Sequence, residues 1–383
     1  MHPLGQREPH QQEANQTHVP RKKRAKTTTP MGTQQSKIKP RRTPSSSRKM
    51  TTVPTLPPKI VSQKNLSTEL VAWYRQVARP LPWRASRDPY KVWISEVMLQ
   101  QTTVTAVVPF FHRFMERFPN LATLAKAHEA EVIAQWAGLG YYTRARLLWR
   151  AAQILNDRGG FPQQTAELLA LPGFGPYTAR AVASIAFNEA VGVVDGNVIR
   201  VLCRHFGLNL KWWLPRARQQ LQDLADRLVI GQASGEVNQA LMELGASLCR
   251  PQTPTCVLCP WRQSCVAREK QITDALPLKK MRRAKEIWVW NAQLLIRKDH
   301  AALVKNDYAP FLSGQWIWPG SVKKREAPPR QYHFRHSITH HDIYVALKKV
   351  RKKPDQAHTW VALEQLAQVS PTSLMKKTLK FRA

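Results

Sequence analysis

The sequence predicts a mainly α-helical domain followed by a small α+β domain, and two observations carry that prediction. Over Leu66–Cys265, apolar residues recur at every third or fourth position, which is the spacing of amphipathic helices. From Ile287 onwards, short runs rich in tryptophan, valine and isoleucine replace that spacing and are typical of strands. We therefore expect a helical domain at 67–270, a basic linker at 271–286 and an α+β domain at 287–383.

The segment 1–66 is expected to be a disordered basic arm. It has 14 lysines and arginines against two acidic residues, nine prolines, and no phenylalanine, tryptophan or tyrosine with which to build a core. Its run Arg21–Lys26 is consistent with a nuclear localisation signal and equally with a tail that binds phosphates.

Within the helical domain, proline and glycine turn signals separate short helices. These signals occur at Pro119–Asn120, Gly138–Gly140, Gly159–Gly160 and Pro172–Gly173. After the linker, Ile287–Trp290 and Ala292–Ile296 are predicted as two strands.

The charge of the chain points to a polyanionic partner. Its 59 lysines and arginines exceed its 25 acidic residues by 34. No apolar run reaches the roughly 18 residues that a membrane span requires, and no signal peptide follows the N-terminus. We expect an intracellular protein that binds nucleic acid and no membrane, in the bacterial cytoplasm at the nucleoid or, in a eukaryote, in the nucleus.

Four of the five cysteines fall within one short segment, at Cys249, Cys256, Cys259 and Cys265. Four thiolates suffice for a tetrahedral zinc or a [4Fe–4S] cluster, and only one gap is the two-residue knuckle that structural zinc sites usually repeat. The spacing favours the cluster, with zinc as the alternative. Cys203 lies on an apolar helix face and is expected in the core.

The segment Leu171–Ala179 predicts a tight turn between two helices. Gly173 and Gly175 would let backbone N–H groups point outward at the start of the second helix, where the helix dipole also favours an anion. In a chain of this charge, we favour a DNA phosphate site over a plain corner between helices.

Two acidic residues stand where their surroundings should tune them in opposite directions. Glu96 lies mid-helix among apolar neighbours, with Gln100 one turn along the same face, so desolvation should raise its pKa and make it a candidate general acid. Asp195 precedes a helix, whose positive end should favour the ionised carboxylate. A proton donor and an anion are the pair that cleavage of a sugar–heteroatom bond requires. The alternatives are a simple helix cap for Asp195 and a solvent-facing Glu96.

A glycine-flanked loop within Trp136–Arg146 carries two aromatic and two basic residues. It could insert Tyr141 or Tyr142 into a base stack while Arg144 and Arg146 hold phosphates. The alternative is a tyrosine packed in a core.

In this order, the segments resemble the MutY-type adenine DNA glycosylases, a family of the helix-hairpin-helix superfamily that also includes endonuclease III. The resemblance runs from about Leu81 to Cys265 and continues more weakly beyond. Its most specific segments are Ser95–Thr102, Gly138–Tyr142, Val194–Val198 and the cysteine pattern. It implies a helix-hairpin-helix glycosylase domain with an iron–sulfur cluster loop. The implied function is base excision repair by a monomer that flips out and removes adenine mispaired with 8-oxoguanine or guanine in double-stranded DNA.

The resemblance also implies roles for the hairpin and the two carboxylates. Glu96 would protonate the adenine ring, and Asp195 would stabilise the sugar cation. Tyr177 takes the position where lyase-competent relatives carry a nucleophilic lysine. No lysine occurs in Leu171–Arg180, so a monofunctional hydrolase is implied. The four cysteines would hold a [4Fe–4S] cluster that orders a basic loop on DNA.

The substrate contacts follow in the same way. Trp83, Arg84 and Gln239 fall where the family lines its adenine pocket. Gln100 and Tyr141 fall where the family reaches into the stack around the damaged guanine.

The C-terminal segment resembles the Nudix-like domain with which this family recognises 8-oxoguanine. Gly314–Gly320 is similar to its first strand and loop. A catalytic Nudix box would need paired glutamates after Gly320, and Glu326 is the only acidic residue before Asp342. We therefore expect no pyrophosphatase activity.

The loop that usually reads Phe-Ser-His corresponds to the end of Phe334–His340. Here it reads Ile338, Thr339, His340. Thr339 keeps a hydroxyl that can hydrogen-bond the damaged base, whereas Ile338 lacks an aromatic face.

Two other functions are open on sequence grounds. A bifunctional glycosylase and lyase of the endonuclease III type, acting on oxidised pyrimidines, is disfavoured by Tyr177 and by the second domain. A non-catalytic iron–sulfur DNA-binding protein would tolerate the loss of either carboxylate.

Overall fold

A computed structural model describes residues 63–281, 283–351 and 356–381. Helix α1 spans Gln63–Val77, so the helical domain begins four residues before the predicted boundary at 67. Leu66 is fully buried, and its carbonyl accepts a hydrogen bond of 3.0 Å from the indole of Trp261. The rest of the predicted arm, including Arg21–Lys26, lies outside the described residues.

The helical domain continues as a series of short helices, as the turn signals predicted. They are α2 (Pro89–Leu99), α3 (Val104–Arg117), α4 (Leu121–Lys126), α5 (Glu129–Gln135), α6 (Thr143–Asp157), α7 (Thr165–Leu168), α8 (Pro176–Phe187), α9 (Gly196–His205), α10 (Pro215–Val229), α11 (Ser234–Ser247) and α12 (Val266–Glu269), with 3-10 turns at Pro82–Arg84 and Cys256–Leu258. The longest have 15 residues, and in the described part of the chain no helix is both long and apolar enough to cross a membrane.

Local capping explains several helix starts. Asp88 accepts a hydrogen bond of 2.9 Å from the backbone of Tyr90 at the start of α2. Thr103 and Asn120 cap α3 and α4 in the same manner. These caps fix the entry of α2 and so the position of Glu96 along it.

Two apolar cores build the helical domain. One contains the buried rings of α2, α3 and the hairpin, where Trp93 stacks on Phe174 with 5.4 Å between ring centroids. The other lies among α1, α9, α10 and α11. Val193 belongs to the first core and Val194 to the second, so Asp195 follows directly on the crossing between them.

The linker is shorter than the predicted 271–286. The guanidinium of Arg204 donates to the carbonyls of Thr273 and Leu276, each at 2.9 Å, and the indole of Trp212 donates to Leu278 at 2.9 Å. The first part of the predicted linker therefore packs on the helical domain.

The described part of the C-terminal domain has two sheets and two short helices. The strands are β1 (Glu286–Leu294), β2 (Ile296–Arg297), β3 (His300–Lys305), β4 (Trp316–Ile317), β5 (Gly320–Arg325), β6 (Phe334–Ile338), β7 (His341–Lys349) and β8 (Thr359–Ala362), and the helices are α13 (Leu366–Val369) and α14 (Ser373–Leu379). One sheet has the order β5-β1-β7-β6, and the other contains β2, β3, β4 and β8.

The prediction of two strands over Ile287–Ile296 was wrong in one respect. β1 runs unbroken through Asn291 to Leu294, because β7 pairs with it in parallel along all nine residues. Gly320 allows β5 to approach β1 closely, since a Cβ there would lie 2.0 Å from the carbonyl oxygen of Asn291.

Candidate active site

A cleft of about 1160 Å³ opens in the helical domain. It brings together residues that sequence analysis named separately: Trp83, Arg84, Glu96, Gln100, Gly173, Gly175, Tyr177, Asp195 and Gln239. Tyr141, Thr339 and His340 are not among its lining residues.

Glu96 is a buried carboxyl group in this cleft, so the solvent-facing alternative is wrong. Only 5% of the residue is exposed, and burial raises the pKa of Glu96 to about 7. The hydroxyl of Tyr177 donates to Glu96 Oε2 at 2.6 Å, which lowers the pKa, and the nearby charge of Asp195 raises it. At neutral pH, Glu96 therefore exists in both forms and can give or take a proton.

Tyr177 is a neutral hydrogen-bond donor. It lies in the first turn of α8, and burial, followed by the charges of Glu96 and Asp195, raises the pKa of its hydroxyl well above the ordinary value. The hydroxyl also lies 3.4 Å from the sulfur of Met242. These contacts hold the Glu96 carboxyl group from the side of the hairpin.

Asp195 caps α9 and lines the cleft as well. Its carboxylate accepts hydrogen bonds from the backbone of Val198 at 2.7 Å and from the amide of Asn197 at 2.8 Å. Burial nevertheless raises the pKa of Asp195, against the lowering effect of these bonds. The prediction that the helix end would favour the ionised form was therefore incomplete, because desolvation outweighs the cap.

Asp195 is tied to the cysteine segment through side chains. Arg200 donates to Asn197 Oδ1 at 2.8 Å and to the carbonyl of Cys249 at 2.7 Å. It donates also to the carbonyl of Gly245 at 2.8 Å. A chain of hydrogen bonds through Asn197 and Arg200 therefore links Asp195 to Cys249.

Glu243 is a cleft residue that sequence analysis missed. It is buried in α11 and pairs with Arg79 at 2.5 Å and with Arg84 at 2.8 Å. Burial alone would raise the pKa of Glu243, but the two arginines outweigh it and lower the pKa. Its spacing of four residues from Gln239 was the signal, since such residues share one helix face.

The two tyrosines of the loop before α6 have different surroundings. Tyr141 is 47% exposed with φ of +49°, whereas Tyr142 is buried and donates to the carbonyl of Pro371 at 3.1 Å. Arg144 donates to the carbonyls of Val97 at 2.6 Å and Gln100 at 2.8 Å, at the end of α2.

The predicted phosphate contacts of the two arginines in this loop are not supported. The guanidinium of Arg144 lies 5.5 Å from the ring centroids of both Trp136 and Tyr141, in addition to its carbonyl partners. Arg146 pairs with Glu129 at 2.8 Å. Arg144 therefore joins the loop that bears Tyr141 to the helix that bears Glu96.

The hairpin between α7 and α8 has the predicted tight turn. Gly173 adopts φ of +79°, and a Cβ there would lie 2.9 Å from Cβ of Leu147. Gly175 is the residue before α8. Gln100 donates to Thr178 at 3.3 Å, so the end of α2 and the hairpin meet at the cleft.

The four predicted cysteine ligands line one small pocket, together with Arg204, Arg262 and Arg268. A tetrahedral zinc with Zn–S bonds of about 2.3 Å would hold its sulfurs roughly 3.8 Å apart. Among these described cysteines, no three sulfurs lie within 4.8 Å of one another, so the sulfurs are farther apart than a single zinc requires. The pocket fits a larger cluster better than a single zinc. Cys203 is buried in the second core, as predicted.

Residues Ile338–His340, predicted to recognise 8-oxoguanine and called the reading loop below, lie at the turn between β6 and β7. Thr339 has φ of +53°, and its hydroxyl lies 3.3 Å from Nδ1 of His340. Below the turn, Asp342 accepts hydrogen bonds from Ser337 at 2.5 Å and from Arg335 at 2.6 Å. Hydrogen bonds to Asp342 therefore hold the strands next to the turn, while Thr339 at its tip is exposed.

Comparisons with known proteins identify the family. The model of the HhH-GPD superfamily of base excision DNA repair proteins matches residues 94–228. The adenine DNA glycosylase of Buchnera aphidicola from Acyrthosiphon pisum is 36% identical over 268 residues, which cover 69% of this chain and 77% of that protein. The chain belongs to the adenine DNA glycosylase family.

Other members of the family match shorter parts. The human adenine DNA glycosylase is 47% identical over 212 residues, which are 52% of this chain and 39% of the human protein. The matches to the three mammalian relatives cover less than half of each relative's length. A solved thermostable thymine-DNA glycosylase is 31% identical with a TM-score of 0.50, and the match covers 54% of this chain and 97% of that one.

Proposed function

We propose that this protein is a monofunctional adenine DNA glycosylase of base excision repair. Its substrate is adenine mispaired with 8-oxoguanine or guanine in double-stranded DNA. The observation that carries the proposal is the buried Glu96, whose pKa of about 7 suits a general acid at neutral pH. We propose adenine as the released nucleobase because the relatives are adenine DNA glycosylases.

In the proposed reaction, adenine leaves the helix and enters the cleft. Glu96 gives a proton to the adenine ring, and Tyr177 holds the carboxyl group in place. Asp195 faces the sugar and stabilises the positive charge that develops as the bond to the base breaks. Water then adds to the sugar carbon and returns a proton to the Glu96 carboxylate, which also helps to position it. Trp83, Arg84 and Gln239 contact the base.

A lyase step is disfavoured by the chemistry of the cleft. A Schiff base needs an amine near the sugar. Among the described residues that line the cleft, none is a lysine, and the hydroxyl of Tyr177 bonds to Glu96. The reaction then ends with an intact strand that lacks one base.

The four cysteines are proposed to hold a [4Fe–4S] cluster. Bound there, the cluster serves as a structural crosslink of the segment Cys249–Cys265. This crosslink would also help to hold Asp195, because Arg200 donates hydrogen bonds to Cys249 and to Asn197, and Asn197 donates one to Asp195. Arg262 and Arg268, which line the same pocket, are suited to DNA phosphates.

DNA contact is proposed to come from three further places in a monomeric protein. Gly173 and Gly175 expose backbone N–H groups to a phosphate. Gln100 and the exposed Tyr141 enter the base stack opposite the flipped adenine. The C-terminal domain is proposed to be Nudix-like and to read 8-oxoguanine through Thr339 and His340.

One assay separates this function from its competitors. Purified protein is incubated with a duplex that holds adenine opposite 8-oxoguanine and with a duplex that holds thymine glycol, and half of each sample is then treated with alkali. We expect strand breaks in the first duplex only, and only after alkali. Breaks in the thymine glycol duplex, or breaks without alkali, would contradict the proposal.

A further inference from the structure

The C-terminal domain contains a cluster of metal-ligand residues, of which only His340 has a part in the proposed function. Among the described residues, Glu286, His340 and His341 are the one group of three whose ligand atoms all lie within 4.8 Å. Nε2 of His341 lies 3.5 Å from Oε2 of Glu286, and the two histidine rings have centroids 4.0 Å apart.

The backbone fixes this arrangement. Glu286 opens β1 and is the register partner of His341 at the start of β7, so their side chains share one face of the sheet. The backbone N–H of Glu286 donates to the carbonyl of His340 at 2.8 Å. His340 lies in the turn before β7, which allows two consecutive residues to present their rings together.

From this geometry we infer that Glu286, His340 and His341 form a binding site for a divalent first-row transition ion of the zinc type. Two imidazoles and one carboxylate are ligands that zinc, nickel and cobalt prefer, whereas calcium and magnesium prefer sites made of oxygen. Three protein ligands leave coordination positions for water or another ligand.

The surroundings orient one of these ligands. A hydrogen bond of 3.0 Å from Trp288 orients Oε2 of Glu286, in the way that outer partners usually orient metal ligands.

Lys324 opposes the ion. Its ammonium lies 2.7 Å from Oε1 of Glu286 and its side chain is 56% exposed. The lysine therefore competes for the carboxylate and adds a positive charge beside the site. Removal of this charge should therefore favour an ion at Glu286, which gives a test that a purely structural cluster would not pass.

The test is calorimetric titration of the full-length protein, as purified, with nickel chloride and no DNA. Glu286→Gln and His340→Gln should each remove one nickel ion from the binding stoichiometry or weaken that site by at least the ~10-fold that loss of even an outer partner costs. Lys324→Met should strengthen the same site. His300→Gln removes an exposed histidine outside the cluster and should leave the isotherm unchanged.

An isotherm that is the same in wild type, Glu286→Gln and His340→Gln would overturn the inference, and so would weaker nickel binding by Lys324→Met. Because the measurement involves neither DNA nor base release, its failure would leave the proposed glycosylase function untouched.

Discussion

The candidate cleft and the proposed reading loop (Ile338–His340) place polar residues in different surroundings. In the cleft, Glu96 lies within α2 and is buried, Asp195 caps α9 and is half-buried, and desolvation raises the pKa of both. In the loop, Thr339 and His340 are neighbours in sequence at the tip of an exposed turn. Polar groups in the cleft are therefore tuned for proton chemistry, whereas those in the loop are placed to make contacts.

This difference teaches where mutations should matter most. A buried acid with a shifted pKa has no substitute when it is removed, because water is a far weaker proton donor at neutral pH. An exposed hydroxyl loses one hydrogen bond, and water replaces much of it. We therefore expect large effects in the cleft, intermediate effects where a loop is anchored to it, and small effects in the reading loop.

The largest effect is expected for Glu96→Gln. Glutamine has the same shape but no proton to give, so single-turnover release of adenine should fall by roughly 10²- to 10⁴-fold. Binding to the mispaired duplex should persist, as measured by anisotropy of labelled DNA. Glu167→Gln, an exposed control, should behave as wild type. Adenine release by Glu96→Gln at near the wild-type rate would show that Glu96 is not the general acid.

The same substitution should stabilise the fold at high pH. Because the pKa of Glu96 is raised from 4.5 to about 7, the folded state binds more protons than the unfolded state between these values, and stability falls as pH rises through that window. Glu96→Gln lacks this ionisation. Its Tm advantage over wild type should grow from pH 5 to pH 7.5, to the equivalent of at most ~3 kcal/mol. An advantage that is constant with pH would contradict the raised pKa.

An intermediate effect is expected for Arg144→Met. The change leaves the carbonyls of Val97 and Gln100 without their charged donor and releases the loop that bears Tyr141. Unfolding should become easier by about 2–3 kcal/mol, and single-turnover base release should slow. Arg150→Met, on an exposed part of the same helix, is the matched control. Equal urea denaturation midpoints for the two variants would show that Arg144 does not anchor the loop.

Sequence reasoning succeeded where the determining interactions were local. The apolar neighbours of Glu96 within α2 were enough to predict its burial, and the turn signals were enough to separate the helices. It failed where two opposing effects or distant partners decide the outcome. The cap on Asp195 was visible in the sequence, but the depth of its burial between two cores was not.

Distant partners also explain the other corrections. Tyr177 and Glu96 are 81 residues apart, so no local pattern joined them. Arg144 was predicted to bind a phosphate because its actual partners, the carbonyls of Val97 and Gln100, are more than 40 residues away in sequence. β1 continues past Asn291 because a strand far along the chain pairs with it.

The smallest effect is expected for Thr339→Ala. In the background of Glu96→Gln, which keeps the duplex intact, the preference for 8-oxoguanine over guanine opposite adenine should narrow by about 1 kcal/mol, roughly fivefold. Thr339→Ser keeps the hydroxyl and should keep the preference. Equal binding ratios for the alanine and serine variants would exclude Thr339 from reading the lesion.

The most direct test of the buried acid is the pH dependence of single-turnover adenine release by wild type and Tyr177→Phe. In the proposed reaction the protonated form of Glu96 is the active one, so the wild-type rate should fall as pH rises through about 7. Tyr177→Phe removes a hydrogen bond that lowers the pKa of Glu96, so its fall should occur at higher pH. A wild-type rate that is flat from about pH 6 to 9, or a fall that moves to lower pH in Tyr177→Phe, would contradict the account.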